Sequence, residues 1–264
     1  MNTPIIHVYT VSHDEEMLLP YFLRHYEAVA EKIFVFDGAS MDGSVDILES
    51  HPKVVLEGGS GEFATHVDGQ YNESVLMKIR NEAYKRSRGA ADWVMIVDID
   101  EFIHHPDLLG HLEGLKASGA TLLKATGYEM VSFFPPATGG QIYDEIRAGF
   151  CNYRYNKKAV FDPSIDINYH FGCHDCSPKG NVVEPEESGM KLLHYRMLGP
   201  DFFSAKYMER IQRMHPESRA NQWGTHLSIP YSDQTKAFIH SSEDELREIF
   251  WKILSEQRIV RVLP

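Results

Sequence analysis

Cysteine is scarce in this chain, which has Cys151, Cys173 and Cys176 among its 264 residues. An odd number at so low a density excludes a disulfide-rich secreted scaffold and favours a protein of a reducing compartment, the cytoplasm. Long apolar runs are missing too, because none approaches the roughly 20 residues of a membrane-spanning helix. The first residues carry no basic segment followed by an apolar stretch, so we expect no secretory signal peptide.

Positive charge is in short supply as well. Lys and Arg number 26 against 38 Asp and Glu, which gives a net charge of −12. So acidic a chain is poorly suited to the phosphates of nucleic acid and has no basic excess for anionic lipid. Hydrophobic residues at 43% and charged residues at 24% are the balance of a globular protein. We find no linker and no repeat, and therefore expect one domain over residues 1–264, with halves at 1–105 and 106–264.

What is present is an alternation of apolar strands and amphipathic helices, clearest in the first half. Strands that are apolar almost throughout and separated by helices predict an α/β fold with a mixed, mostly parallel sheet flanked by helices. The predicted strands are 5–11, 32–37, 54–56, 93–97, 122–128, 159–162 and 191–196. The predicted helices are 14–29, 44–50, 73–88, 202–214 and 243–259.

Acidic residues follow two of these strands, at the carboxyl ends where ligands bind in such sheets. Asp98 and Asp100 come directly after 93–97, and Asp37 ends 32–37. If the segment is extended, residues two apart point to the same side, so the two carboxylates lie together. Such a pair is stabilised by water or by a divalent cation such as Mg²⁺ or Mn²⁺. The spacing alone does not separate these alternatives.

Three segments taken together resemble the family-two-like glycosyltransferases. They are Val35-Phe36-Asp37-Gly38-Ala39-Ser40-Met41-Asp42-Gly43-Ser44, then Lys78-Ile79-Arg80-Asn81-Glu82-Ala83, then the stretch from Ala91 to Phe102. The resemblance covers about residues 5–102 and is thin beyond them. It implies a GT-A fold, in which 1–105 is the nucleotide-sugar-binding half and 106–264 is the acceptor-side half with C-terminal helices.

The resemblance also implies which residues hold the donor. Thr10 and Ser12 line the nucleotide pocket, and Arg80 lies near the base or the phosphates. Asp37 accepts a hydrogen bond from the base, and UDP is the expected nucleotide because a carboxylate suits a uracil N–H. Asp98 lies by the ribose and the metal.

A Mn²⁺ or Mg²⁺ ion that bridges the diphosphate is implied in the same way. Asp98 and Asp100 are its predicted ligands, and the run Leu192-Leu193-His194-Tyr195-Arg196 resembles the place from which these enzymes supply a histidine. We therefore predict His194 as the third ligand, with His174 as its rival. A neutral imidazole suits Mn²⁺ better than Mg²⁺.

An inverting enzyme needs a carboxylate base to take the proton of the acceptor hydroxyl. Asp175 is the predicted base, because it follows the metal motif in a turn dense with polar groups, and Glu145 and Glu129 are its rivals. If no carboxylate is essential, a retaining course assisted by the leaving phosphate is expected. Arg196 and Lys206 either neutralise the diphosphate or are solvated charges.

The segment His170-Phe171-Gly172-Cys173-His174-Asp175-Cys176 raises the alternative of a zinc site. Cys173 and Cys176 need two further ligands, and four donors within seven residues rarely close a tetrahedron. A loop with free thiols is the simpler expectation.

The sequence thus predicts a metal-dependent, hexosyltransferase-like enzyme that moves a sugar from a UDP-sugar to a hydroxyl of a glycan or lipid-linked acceptor. The alternatives are a nucleotidyltransferase that makes nucleotide-sugars and a carbohydrate-binding protein without activity. The first usually shows a Gly-rich basic loop after the first strand, where this chain has the acidic run Ser12-His13-Asp14-Glu15-Glu16. We expect no nucleic-acid partner, no transmembrane segment, a cytoplasmic location and transient contact with the inner face of a membrane.

Overall fold

The computed structural model describes residues 3–58, 63–67, 70–137, 139–221, 223 and 242–264. The helices in these ranges are α1 (Leu19–Glu27), α2 (Ser44–Ser50), α3 (Glu73–Glu82), α4 (Leu108–Ala117), α5 (Ile142–Glu145), α6 (Pro200–Arg213), α7 (Pro216–Ala220) and α8 (Glu243–Glu256). The strands are β1 (Ile6–Ser12), β2 (Lys32–Asp37), β3 (Val54–Gly58), β4 (His66–Val67), β5 (Gln70–Tyr71), β6 (Trp93–Ile96), β7 (Glu101–His104), β8 (Leu122–Leu123), β9 (Thr126–Ser132), β10 (Ala148–Cys151), β11 (Val160–Phe161), β12 (Lys191–Leu198) and β13 (Val260–Arg261).

The larger sheet has the strand order β3-β2-β1-β6-β11-β8. β3, β2, β1 and β6 run parallel, and β11 pairs antiparallel with both β6 and β8. Both faces are covered, since Val35 of β2 packs in the apolar cluster that includes α1 while its neighbour Phe34 packs in the cluster that includes α3. The predicted mixed α/β architecture is confirmed.

A second sheet, with the order β13-β10-β9-β12-β7, is built from the less regular part of the chain. β12 lies at its centre, parallel to β9 and antiparallel to β7. In this register His194 stands between Glu101 on one side and Glu129 on the other. Strand pairing therefore brings a late segment of the chain beside the residues that follow β6.

Four of the five predicted helices have different bounds in the structure, and in two of them one end moves by five residues or more. The helix predicted from residue 14 begins at Leu19, because Asp14 has a positive φ of 47° and its carboxylate accepts the backbone N–H of Met41 instead of capping the helix. The helix predicted at 73–88 ends as an α-helix at Glu82 and tightens into a 3₁₀ turn over Ala83–Ser87. Among the described helices, none is both long enough and apolar enough to cross a bilayer.

Candidate active site

A cavity of about 320 Å³ opens at the carboxyl ends of the parallel strands, between the sheet and α6. Charged residues of both signs line it. The basic ones are Arg80, Lys157, Arg196, Lys206, Arg210 and Arg213, and the acidic ones are Glu15, Glu73, Asp98, Asp100 and Glu209. The lining thus holds more cations than anions within a chain whose net charge is −12. This inversion of sign favours an anionic ligand.

Asp98 is held by two cations. Its Oδ1 accepts from Arg80 Nη2 at 2.6 Å, and its Oδ2 lies 3.8 Å from Lys157 Nζ. Burial alone would raise the pKa of Asp98, but Arg80 and Lys157 outweigh it and hold that pKa well below its usual range. Lys157 also forms a buried ion pair with Glu101, whose Oε2 accepts the backbone N–H of Asp98 at 3.1 Å.

Asp100 faces a different partner, His194. Asp100 Oδ2 lies 3.1 Å from His194 Nε2, and the other ring nitrogen, Nδ1, hydrogen-bonds the buried carboxylate of Glu129. Glu129 in turn accepts from Arg196 Nε at 2.7 Å. Burial would lower the pKa of His194, but Asp100 and Glu129 outweigh it and raise that pKa to about 10. The backbone supports the pair, since Tyr195 N–H donates to the Asp100 carbonyl at 2.7 Å.

Asp98 and Asp100 both line the cavity, but they do not lie on an extended segment as predicted. Residues 99 and 100 form a turn between β6 and β7, closed by the Glu101 N–H on the Asp98 carbonyl at 3.0 Å. The alternation of an extended strand does not apply in this turn, so the two carboxylates bind separate partners. Asp98 is neutralised by Arg80 and Lys157, and Asp100 remains with His194.

Asp100 and His194 fit a divalent cation. Two adjacent ligands of an octahedral ion with bonds of about 2.1 Å lie about 3 Å apart, and these two atoms are 3.1 Å apart. A histidine that binds metal usually donates its other N–H to a carboxylate, as His194 is placed to do with Glu129. Asp98, predicted as a further ligand, does not join them in a three-donor cluster within the described part of the chain.

The residues predicted to hold the nucleotide separate into two groups. Ser12 and Arg80 line the cavity. The Ser12 hydroxyl is buried and has no hydrogen-bond partner among the described residues, which leaves it available to a ligand. Thr10 is buried and does not line the cavity. Asp37 does not line it either, because its two oxygens accept the backbone N–H and the hydroxyl of Ser40 at 3.0 and 2.6 Å and so close the turn after β2.

The candidate bases also lie in different places. The structure does not bring Asp175 to the cavity, and its side chain is 76% exposed. Glu145 accepts the backbone N–H of Ala137 away from the cavity, and Glu129 is committed to His194 and Arg196. Turns and strand pairing determine where these carboxylates lie. The spacing of acidic residues along the chain does not predict that geometry.

Glu15 is a cavity carboxylate that the sequence did not single out as a functional residue. Its Oε1 lies 3.1 Å from Lys206 Nζ, and its Oε2 is buried without a hydrogen-bond partner among the described residues. Burial raises the pKa of Glu15 to about 8, although Lys206 opposes the shift. The acidic run after β1 was a signal for such a residue. The functional interpretation of Glu15 depends, however, on its ion pair with Lys206, which lies far away in the sequence.

Lys157 was missed for a related reason. It precedes β11 in the pair Lys157-Lys158 and is buried, whereas its neighbour forms an ion pair with Glu184 on the surface. Nothing in the sequence distinguishes the two lysines. Cys173 and Cys176 are buried, burial raises the pKa of each thiol to about 11, and neither belongs to a group of three metal-ligating side chains among the described residues.

No protein-family model matches this chain, and no curated protein does either. Several solved structures are similar to it. Residues 1–349 of TarS from S. aureus, in complex with UDP-GlcNAc, are 11% identical over 96% of this chain and 74% of that one, with a TM-score of 0.43. Mannosyl-3-phosphoglycerate synthase from Rubrobacter xylanophilus is 17% identical over 61% of this chain and 53% of that one, with a TM-score of 0.36.

Glucosyl-3-phosphoglycerate synthase from Mycobacterium tuberculosis, in complex with Mn²⁺, UDP and glucosyl-3-phosphoglycerate, is 17% identical with a TM-score of 0.34. The match covers 47% of this chain and 44% of that one, so this chain spans less than half of its length. These proteins resemble the chain in fold alone. The chain's own strand order is Rossmann-like through β3-β2-β1-β6, with antiparallel strands added beyond β6.

Proposed function

We propose that this chain is a metal-dependent glycosyltransferase that moves a sugar from a UDP-sugar to a hydroxyl of a glycan or glycolipid acceptor. One observation carries the proposal. A single cavity at the carboxyl edge of the sheet contains both an Asp100–His194 pair with the spacing of adjacent metal ligands and the fixed cations Arg80 and Lys157.

The fixed cations suit the departure of a nucleoside diphosphate. Negative charge develops on this leaving group as the bond to the sugar breaks, and buried cations stabilise it without having to reorganise. Arg80 and Lys157 are held in place by Asp98, Glu73 and Glu101. A divalent cation on Asp100 and His194 would add Lewis-acid stabilisation of the diphosphate.

The base in this proposal is Glu15 in place of Asp175. An acceptor hydroxyl attacks the anomeric carbon, its proton passes to the Glu15 carboxylate, and the bond to the diphosphate breaks. A base is most effective when its pKa lies near the working pH, and that of Glu15 is raised to about 8 by burial. Lys206, 3.1 Å away, is placed to stabilise the ionised form.

Binding of nucleotides tests the proposal directly. Calorimetric titrations of UDP, GDP and CDP, each with and without Mn²⁺, should give tightest binding for UDP and a clear dependence on the metal. A nucleotidyltransferase would instead consume a nucleoside triphosphate and a sugar phosphate with release of pyrophosphate. Failure of all three diphosphates to bind in the presence of Mn²⁺ would refute a donor site in this cavity.

The histidine ligand has its own test. We expect His194→Ala to raise the Mn²⁺ concentration at half-maximal UDP binding by about 10–100-fold, the range for disturbed metal sites. Affinity for UDP without metal should hardly change, because His194 contacts Asp100, Glu129 and the Tyr155 ring and leaves Arg80 untouched.

His174→Ala is the matched control for His194. His174 also lines the cavity, and burial and the nearby Lys157 lower its pKa to about 3, so its imidazole is neutral at neutral pH. We expect this variant to keep the Mn²⁺ midpoint of the wild-type protein. A shift for His174 with none for His194 would exchange their assignments.

The raised pKa of Glu15 predicts a pH-dependent stability. Between about pH 4.5 and 8 the unfolded chain has lost this proton while the folded chain still holds it, so the free energy of unfolding falls as the pH rises. The contribution is at most about 1.4 kcal/mol per pH unit. Urea denaturation at pH 6, 7 and 8 should show a shallower decline in Glu15→Gln than in the wild type. Equal slopes would mean that Glu15 is ionised throughout.

A further inference from the structure

We infer that the side chains of Phe171 and Trp223 form a platform on which a pyranose ring of the acceptor lies at the mouth of the cavity. This inference rests on the proposed function and adds the place where a sugar ring of the acceptor binds. The two rings are stacked, with centroids 4.0 Å apart and planes inclined by 9°, and both line the cavity. We call them the aromatic platform.

The platform is apolar surface that the core does not use. Phe171 is 47% exposed, and neither ring is packed into the apolar clusters formed by the described residues. An apolar surface left open at a cavity lined by charged groups is typical of a ligand subsite. A pyranose ring has one face of C–H groups that suits such a surface, and its hydroxyls stay free for polar partners at the edge.

Local backbone geometry presents the platform to the cavity. Gly172 and Cys173 both adopt positive φ angles, 86° and 56°, directly after Phe171. The turn is anchored below, where the Cys173 N–H donates to the His170 carbonyl at 2.9 Å and the Cys173 thiol lies 3.7 Å from the sulfur of Met77 on α3. On the other side, Trp223 donates its backbone N–H to Ser218 of α7 at 2.9 Å.

The platform lies on the acceptor side of the donor site. Along the sheet edge the order is β2, β1, β6 and β11. Because β11 runs antiparallel to β6, its start lies at this edge, and the hydroxyl of Tyr169, two residues before Phe171, donates to the Lys158 carbonyl there at 2.7 Å. Ser12 ends β1 and Gly38 follows β2. A nucleoside held by Ser12 and a diphosphate held beside Asp100 therefore place the transferred sugar towards the β11 side of the edge.

A run of rings that reaches Asp100 begins at His174, three residues after Phe171. The His174 ring meets Tyr155 edge-on at 5.3 Å, and Tyr155 lies against His194 with centroids 4.2 Å apart. His194 reaches Asp100 at 3.1 Å. This run of rings forms one wall of the cavity, so a sugar on the platform would have its hydroxyls within the same space as the donor's diphosphate.

The emission of Trp223 tests the inference. In a Trp251→Phe background, which removes the exposed tryptophan outside the cavity, Trp223 and the buried Trp93 remain. Methyl glycosides of glucose, galactose, mannose and N-acetylglucosamine are titrated in the presence of UDP and Mn²⁺. We expect at least one glycoside to change the emission saturably and Phe171→Ala to weaken its binding at least tenfold, while UDP affinity measured by calorimetry stays within twofold.

Phe133→Ala, made in the otherwise wild-type chain, is the matched control, because Phe133 is 57% exposed and stacks on Trp251 outside the cavity. It should leave glycoside binding, measured by calorimetry, unchanged.

If UDP binds but no glycoside changes the emission, the platform is refuted and the proposed function stands. If Phe171→Ala weakens UDP and the glycoside equally, the platform belongs to the donor's base and the inference is overturned. If UDP itself fails to bind the wild type, the proposed function fails first.

Discussion

Replacement of Asp100 by Ala is expected to reduce Mn²⁺-dependent release of UDP from the donor by about 10³-fold or more, because Lewis-acid stabilisation is worth several kcal/mol and each 1.36 kcal/mol is a factor of ten. Asp100 is the carboxylate in the cavity whose oxygen lies at ligand spacing from His194 Nε2. The same change removes the partner of the His194 ring while leaving Glu129 in contact with it. UDP affinity in the presence of Mn²⁺ should fall to its metal-free value.

Two comparisons make this result specific. Asp46→Ala removes an exposed carboxylate on α2, outside the cavity, and should preserve both activity and metal dependence. Circular dichroism and the thermal midpoint of Asp100→Ala show whether the fold is retained. A folded Asp100→Ala protein with the wild-type response to Mn²⁺ would contradict the assignment of the metal to Asp100 and His194.

The parallel core of the fold was predictable because it depends on local pattern. β2 and β6 are apolar on both faces, and the period of the hydrophobic residues changes where α2 and α3 begin. The second sheet was harder to predict from the sequence. Its central strand β12 pairs with β7 and β9, which lie about 60 to 100 residues earlier in the chain, and no local pattern specifies such partners.

The residues of the candidate site were likewise predictable only in part. His194 was predicted to approach Asp100, and the structure places them 3.1 Å apart because β12 pairs with β7 in a register that sets His194 opposite Glu101. The role of Asp37 was inferred from a motif, yet its carboxylate is used by the Ser40 turn. A short polar side chain after a strand can hydrogen-bond either a ligand or the neighbouring backbone, and the sequence does not show which partner it binds.

Lys157 and Glu15 show a further limit. Each is functional in our proposal because of a charge brought close by the fold, Asp98 for Lys157 and Lys206 for Glu15. An ionisable group becomes buried when elements distant in sequence pack over it. Residue type alone predicts only that such groups are usually exposed.

The second large effect is expected at Glu129, which is buried on β9 and accepts from both the His194 ring and Arg196 Nε. Burial would raise the pKa of Glu129, but Arg196 and His194 outweigh it and lower that pKa. Glu129→Ala leaves two buried cationic groups facing an empty space. Removing one partner of a buried ion pair typically costs about 3–5 kcal/mol, and we expect a loss of this size in the free energy of unfolding, measured by urea denaturation.

A more conservative change at the same position separates stability from metal binding. Glu129→Gln keeps the volume and one hydrogen-bond acceptor, so the loss of stability should be smaller than for Glu129→Ala. The negative charge behind the His194 ring is nevertheless gone, and carboxylates in this place typically contribute about 10–100-fold to metal affinity. We therefore expect Glu129→Gln to remain folded and to need more Mn²⁺ for UDP binding, whereas Glu145→Gln, whose carboxylate binds the Ala137 N–H away from the cavity, should need no more than the wild type. An unaltered Mn²⁺ midpoint in Glu129→Gln would show that Glu129 supports the fold without positioning His194 as a ligand.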